Sequence, residues 1–190
     1  MSTFRPMTPG FCRWMLHKVL GWTDDAPVTD GDKAIILGVP HTSIWDFAIG
    51  YLYYRSYGRR MKVMIKKEAF FWPVSWLLRS MGGFPVNRGH SSDLIVSLIH
   101  EMKRDETFHL VICPEGTRKP VRKWKTGYHT IATQTGAPVY LGYFDWGAKH
   151  VGITGPVELT GDARADTDRI QRMYEDMHLT GKHPEMYVTH

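Results

Sequence analysis

Along this chain the spacing of apolar and polar positions changes several times, and each change marks an element. Thr8-Pro9 reads as an N-cap followed by proline in the first helical turn. Phe11, Trp14, Met15, Val19 and Trp22 then fall on one helical face, which predicts an N-terminal amphipathic helix over 8–22. Gly21 and the polar residues 23–27 end it. Ala34-Ile35-Ile36-Leu37-Gly38-Val39, ahead of Pro40, is the continuous apolar run of a strand buried on both faces. Residues 43–54 read as a helix, 61–65 as a second strand, and 70–81 as an apolar helix interrupted early by Pro73. Gly82-Gly83 breaks that helix, and 84–86 form a short extended piece. Ser91 or Ser92 caps a helix whose Leu94, Ile95, Leu98, Ile99 and Met102 share a face. A strand over 108–113, a helix over 127–135 and strands over 138–144 and 150–159 follow. A last amphipathic helix carries Ile170, Met173, Tyr174 and Met177.

Strands alternating with helices predict an α/β fold: a mixed, largely parallel central sheet flanked by helices, in a single domain over 1–190. The length is enough to bury a core. With 43% hydrophobic and 23% charged residues, the composition is that of a globular protein and excludes a disordered chain. The net charge of +5 suits an anionic substrate, a membrane surface or nucleic acid, so sign alone does not choose. Two cysteines, Cys12 and Cys113, make no disulfide framework, which points to a reducing compartment. No signal core is evident at residues 1–6, and the longest apolar run, 70–78, is too short to span a bilayer. The expectation is a cytoplasmic protein, soluble or peripheral at the inner face of a membrane.

Two polar clusters follow predicted strands. The first is His41-Thr42-Ser43-Ile44-Trp45-Asp46. On a straight helix, residues five apart are rotated by roughly 140°. His41 and Asp46 therefore meet only if His41 lies in the loop and Asp46 in the first helical turn. The six residues also fit a capping box, in which Asp46 serves backbone donors and His41 does nothing. The alternative is a dyad: Asp46 fixes the tautomer of His41, whose other nitrogen takes a proton from a hydroxyl. There is no G-x-S-x-G elbow, so the nucleophile in that reading is the substrate. The second cluster, Pro114-Glu115-Gly116-Thr117-Arg118, places a carboxylate, a glycine, a hydroxyl and a guanidinium in one loop. Arginine is a natural bidentate partner of phosphate; a surface turn with an ion pair is the other reading. Cys113, before Pro114, reads as a small buried residue. The ten histidines show no metal-ligand spacing.

Together the clusters resemble the glycerolipid acyltransferase family, which includes the 1-acylglycerol-3-phosphate acyltransferases. Its H-x-x-x-x-D block is His41 to Asp46. Its F-P-E-G-T-R block is Cys113 to Arg118, with cysteine in place of phenylalanine. A looser G-x-hydrophobic-x-x-R block matches Gly83-Phe84-Pro85-Val86-Asn87-Arg88. Lys66-Lys67-Glu68 and Trp124-Lys125-Thr126-Gly127 resemble further family segments, and the likeness runs from about residue 34 to 144. The fourth block departs: 138–143 has Gly142 near the place where the family has proline.

The resemblance implies acyl transfer from a thioester, acyl-coenzyme A or acyl carrier protein, to a hydroxyl of a lysophospholipid or glycerol-phosphate-like acceptor. His41 would be the general base and Asp46 its orienter. Glu115, Gly116, Thr117 and Arg118 would hold the acceptor's anion, with Arg88 as a second cation and Lys125 in the same substrate-binding set. The donor is a co-substrate, so no cofactor or metal is expected. The alternatives are a thioester or phosphoester hydrolase, or a non-enzymatic lipid- or nucleic-acid-binding module, although no nucleic-acid motif is present.

Overall fold

The computed structural model describes residues 7–29, 31–86 and 91–188, apart from the side chain of Ser91. Thr8 caps the first helix as expected, its hydroxyl accepting from Phe11 N at 3.3 Å. This helix, α1 (Pro9–Trp14), runs into one wider turn, Met15–Val19, closed by a bond from Leu20 N to Met15 O. The extra residue in that turn shifts the phase of the helix. The expected apolar face is therefore split. Cys12, Leu16 and Trp22 are buried, whereas Phe11, Trp14 and Val19 are exposed.

The remaining elements are β1 (Thr23–Asp24), β2 (Lys33–Val39), α2 (Trp45–Ser56), β3 (Lys62–Lys66), α3 (Val74–Ser80), β4 (Gly83–Val86) and α4 (Ser91–Arg104). After these come β5 (Phe108–Ile112), α5 (Gly127–Thr135), β6 (Val139–Asp145), β7 (His150–Val157) and α6 (Ala163–Asp176). Two differences from the sequence reading matter. Pro73 does not interrupt a helix over 70–81. It stands immediately before α3, and 70–73 lie outside it, because proline is tolerated at a helix start and not within. The two-residue β1 carries no periodicity of its own. It is fixed by pairing to β7, and Thr23 Oγ1 lies 2.8 Å from His150 Nδ1.

The sheet order is β1-β7-β6-β2-β5-β3-β4, parallel throughout except between β6 and β7. The central β2 alternates between two cores. Ile35, Leu37 and Val39 pack under α4, α5 and α6, and Ala34 and Ile36 pack under α1 and α2. Each of the fully buried Ile, Leu and Val side chains contributes roughly 1.5–3 kcal/mol. Gly142 has a packing reason: a Cβ there would sit 2.8 Å from Ile36 Cγ2, and its carbonyl accepts from Tyr174 of α6 at 3.1 Å. On the outer layer, buried Asp166 ties α6 to α5 by accepting from Thr160 N, His129 Nε2 and Arg169.

The chain leaves β2 through α2 toward β3, and leaves β5 through α5 in the opposite direction toward β6. These neighbouring strands therefore send their connections to opposite faces of the sheet. In an open α/β sheet that divergence leaves a crevice beyond the strands' carboxyl ends. The two polar clusters follow β2 and β5, so both arrive there.

Candidate active site

His41 lies in the loop between β2 and α2, and Asp46 is the second residue of α2, as the dyad reading required. Both lie near a cavity of about 1170 Å³ that they help to line. His41 Nδ1 stands 3.6 Å from Asp46 Oδ2. That is an ion-pair distance but longer than a hydrogen bond, and Nδ1 has no hydrogen-bond partner among the described residues. Catalytic hydrogen bonds are often long before substrate binds.

The capping function is present as well. Asp46 Oδ2 accepts from Thr42 N at 2.9 Å and Ser43 N at 2.7 Å, and Ser43 Oγ accepts from Trp45 N at 3.3 Å. The helix begins two residues later than the sequence reading placed it, because these bonds close the turn before it. One carboxylate thus shapes the loop and faces the imidazole. Burial works to lower the pKa of His41, while an ionised Cys113 and the Asp46 carboxylate work to raise it, and the balance is upward. The carboxylate that faces the ring, 3.6 Å from Nδ1, is the opposite charge that favours the imidazolium.

Glu115 occupies a different place from the rest of its motif. It is 5% exposed, and its Oε2 accepts from His41 N at 2.8 Å. It is not among the residues lining the cavity, whereas Gly116, Thr117, Arg118 and Lys125 are. Gly116 adopts φ +69°, and a Cβ there would lie 2.6 Å from Lys125 Cε. Glycine at this turn lets the Lys125 stem cross it, and Lys125 lines the same cavity as Arg118. Arg88 lies outside the described residues.

Desolvation raises the Glu115 carboxyl to about 7, against the opposing pull of His41. Between roughly pH 4.5 and 7 the folded chain then holds a proton that the unfolded chain has lost. Glu115's stabilising contribution is full below that window and is lost as pH rises through 7. Glu115→Gln keeps an acceptor for His41 N without the ionisation. It is expected to exceed the native protein in stability at pH 8, on the order of 1–3 kcal/mol, and to lose that advantage at pH 5. Denaturant unfolding at the two pH values checks this; an equal difference at both would contradict it.

Residues that no motif announced complete the site. Trp146, just past β6, donates from Nε1 to Asp46 Oδ1 at 2.8 Å and stacks edge-on against Trp22. The segment after α6 crosses the His41 loop: His183 N donates to Thr42 Oγ1 at 3.3 Å, and Trp146 N to Thr180 O at 2.8 Å. A Cβ on Gly181 would come within 2.7 Å of Thr42 Cγ2, so this contact depends on glycine. Lys182 Nζ lies 4.6 Å from the Trp146 ring centre and 5.0 Å from that of Trp45. A tryptophan at a strand's carboxyl end was the one available cue in the sequence.

The arrangement suits acid–base chemistry on a long apolar substrate with an anionic group. Its imidazole faces a carboxylate, two cations, Arg118 and Lys125, line the same cavity, and so do Ile36, Val63, Ile95, Leu98 and Val111. Among solved structures, the fold is similar to that of the 1-acyl-sn-glycerophosphate (LPA) acyltransferase PlsC from Thermotoga maritima. The TM-score is 0.60 at 18% identity, covering 90% of this chain and 78% of that one. No curated protein matches. The family model described as Acyltransferase matches residues 23–141, a span holding both polar clusters and five of the seven strands complete, so the chain belongs to the acyltransferase family.

Proposed function

We propose that the protein transfers a fatty acyl group from a thioester, acyl-coenzyme A or acyl carrier protein, to the hydroxyl of a lysophospholipid or glycerol-phosphate-like acceptor. The observation that carries this reading is the placement of His41 on one apolar cavity, with Asp46 facing its ring and with Arg118 and Lys125 lining the same cavity. His41 takes the hydroxyl proton as the acceptor oxygen attacks the thioester carbonyl. The tetrahedral intermediate then collapses, the carbon–sulfur bond breaks, and the imidazolium returns the proton to the leaving thiolate. Asp46 stabilises the imidazolium in between. The apolar cavity receives the acyl chain. Thr117, Arg118 and Lys125 meet the acceptor's anion, with Arg88 joining them as a further cation. Glu115 holds the backbone of the base and does not touch substrate.

Among the described residues no helix is long and apolar enough to cross a membrane. Exposed Phe11, Trp14 and Val19, with Arg13 and Lys18 nearby, support a peripheral contact in which α1 lies at the bilayer interface.

The test is mass spectrometry of products from a panel of lysolipids with acyl-coenzyme A. Acylated acceptor is expected; free fatty acid without it would establish a hydrolase instead. A charge-assisted hydrogen bond is worth about 1.5–3 kcal/mol. Arg118→Ala is therefore expected to raise the KM for a phosphate-bearing acceptor by roughly 10–150-fold and to leave an uncharged acceptor unaffected. An unchanged KM removes Arg118 from the anion site.

A further inference from the structure

The large apolar side chains left in solvent are distributed very unevenly. Among the described residues, α4, α5 and α6 expose only Val96, whereas the segment around α3 exposes Phe71, Trp72, Trp76 and Leu77. Trp72 is 89% exposed and Phe71 60%. Within α3 itself only Leu78 is buried. The connection from β3 to its parallel neighbour β4 follows the same right-handed sense as that from β2 to β3, which puts α3 on the side of the sheet that carries α1 and α2. The packing of Met81 against the core under α2 agrees.

Helices α1 and α3, which bear exposed aromatics, carry basic residues and no acid. α1 and its following turn hold Arg13 and Lys18 and no acid; α3 holds Arg79 and no acid. The strand before it ends in Lys66, followed by Lys67, and the neighbouring carboxylate, Glu68, is paired with Lys66 at 3.6 Å. The Arg79 guanidinium stands over the Phe70 ring at 5.2 Å. By contrast α6 mixes four acidic residues with three arginines. Exposed aromatics flanked by cations fit a bilayer interface with anionic headgroups. The position also has a use. Lys66 and Ala69 line the cavity, so the aromatic segment borders it.

We propose that residues 70–77 form a second bilayer-inserting element. Phe71, Trp72, Trp76 and Leu77 enter the lipid, the adjacent lysines meet anionic headgroups, and an acyl chain passes from the bilayer into the cavity beside Ala69. The inference rests on the lysolipid reading only for why a bilayer is met; lipid binding itself is tested without turnover.

The experiment is flotation of the full chain with vesicles of phosphatidylcholine, alone and mixed with phosphatidylglycerol. The native protein is expected to float with the mixed vesicles and to be released by high salt. The variant Phe71→Ser/Trp72→Ser is expected to lower the partition coefficient at least about tenfold. Its melting temperature should be unchanged, because both side chains are exposed; Leu77→Ser provides an independent single-site variant. Acyl transfer to a detergent-dispersed acceptor is expected to be unaffected. Undiminished flotation of both the Phe71→Ser/Trp72→Ser and the Leu77→Ser variants, with loss in Phe11→Ala/Trp14→Ala, would leave α1 as the sole anchor and overturn the proposal. A native protein that acylates in detergent but never floats would overturn it while sparing the catalytic reading. Flotation without turnover would do the reverse. Sedimentation showing a dimer that the Phe71→Ser/Trp72→Ser variant dissociates would assign the patch to a second copy, and would also overturn it.

Discussion

His41→Ala is expected to lower acyl transfer by at least about 100-fold, since a positioned general base typically supplies 10²–10⁴-fold. The fold should survive the change. Among the described residues Nδ1 of the ring has no hydrogen-bond partner, and the loop is held by other atoms of the same residue and its neighbours: the His41 amide on Glu115, and the Thr42 and Ser43 amides on Asp46. Losing the imidazole therefore strips no hydrogen bond from Asp46. The measurement is product formation under saturating donor and acceptor, with circular dichroism as the control for folding. Near-native turnover in a folded variant would remove His41 from the chemistry.

Asp46→Asn is expected to be costly in two separable ways. Without the charge behind it, the imidazolium loses its stabiliser, and a decrease in kcat on the order of 10²–10⁴-fold is expected by analogy with catalytic triads. The second cost is geometric. Oδ2 faces two backbone N–H groups and Oδ1 faces the indole N–H of Trp146. All three are donors, so the carboxamide NH₂ must oppose at least one of them wherever it turns. Setting a donor against a buried donor costs about 1–3 kcal/mol. Trp146→Phe removes the indole donor and gives the NH₂ a side on which nothing opposes it. The two substitutions should therefore be non-additive: in combination they should destabilise less than the sum of the singles, by about 0.5–3 kcal/mol. Denaturant unfolding of the four proteins measures this, and strict additivity would show that the indole does not hold Asp46. The kcat deficit, which reflects the missing charge, should persist in the combination.

Much of this architecture was readable in advance because its elements announce themselves locally. The run 34–39 could only be a strand buried on two faces, and helix 127–135 appears at those bounds. The two catalytic-type clusters were readable because each is a contiguous motif following a strand, and a parallel sheet delivers such loops to one edge. What was not readable depends on distant partners. Gly142 marks a departure from the family's fourth block, yet its meaning lies in Ile36 and Tyr174. The first helix was read as one apolar face because a regular 3.6-residue period was applied through a turn that is wider than that. Glu115 looked like a clamp from its neighbours in the motif, but burial and a backbone amide 74 positions away turn it inward. No spacing rule could have found Trp146, since its partner Asp46 lies a hundred residues earlier.

The hold of Trp146 on Asp46, together with the docking of 180–183 on Thr42, also bears on what counts as the smallest working unit. The family match closes at 141, after both motifs. A fragment cut there would retain each recognisable signature letter and still lack the indole, the reversed strand β7, and the segment that pins the histidine's loop. In this protein the motifs mark where the reaction happens, whereas the parts that make the place rigid come afterwards and are spelled in ordinary residues. A boundary drawn around the signatures would therefore enclose the chemistry and leave its foundations outside.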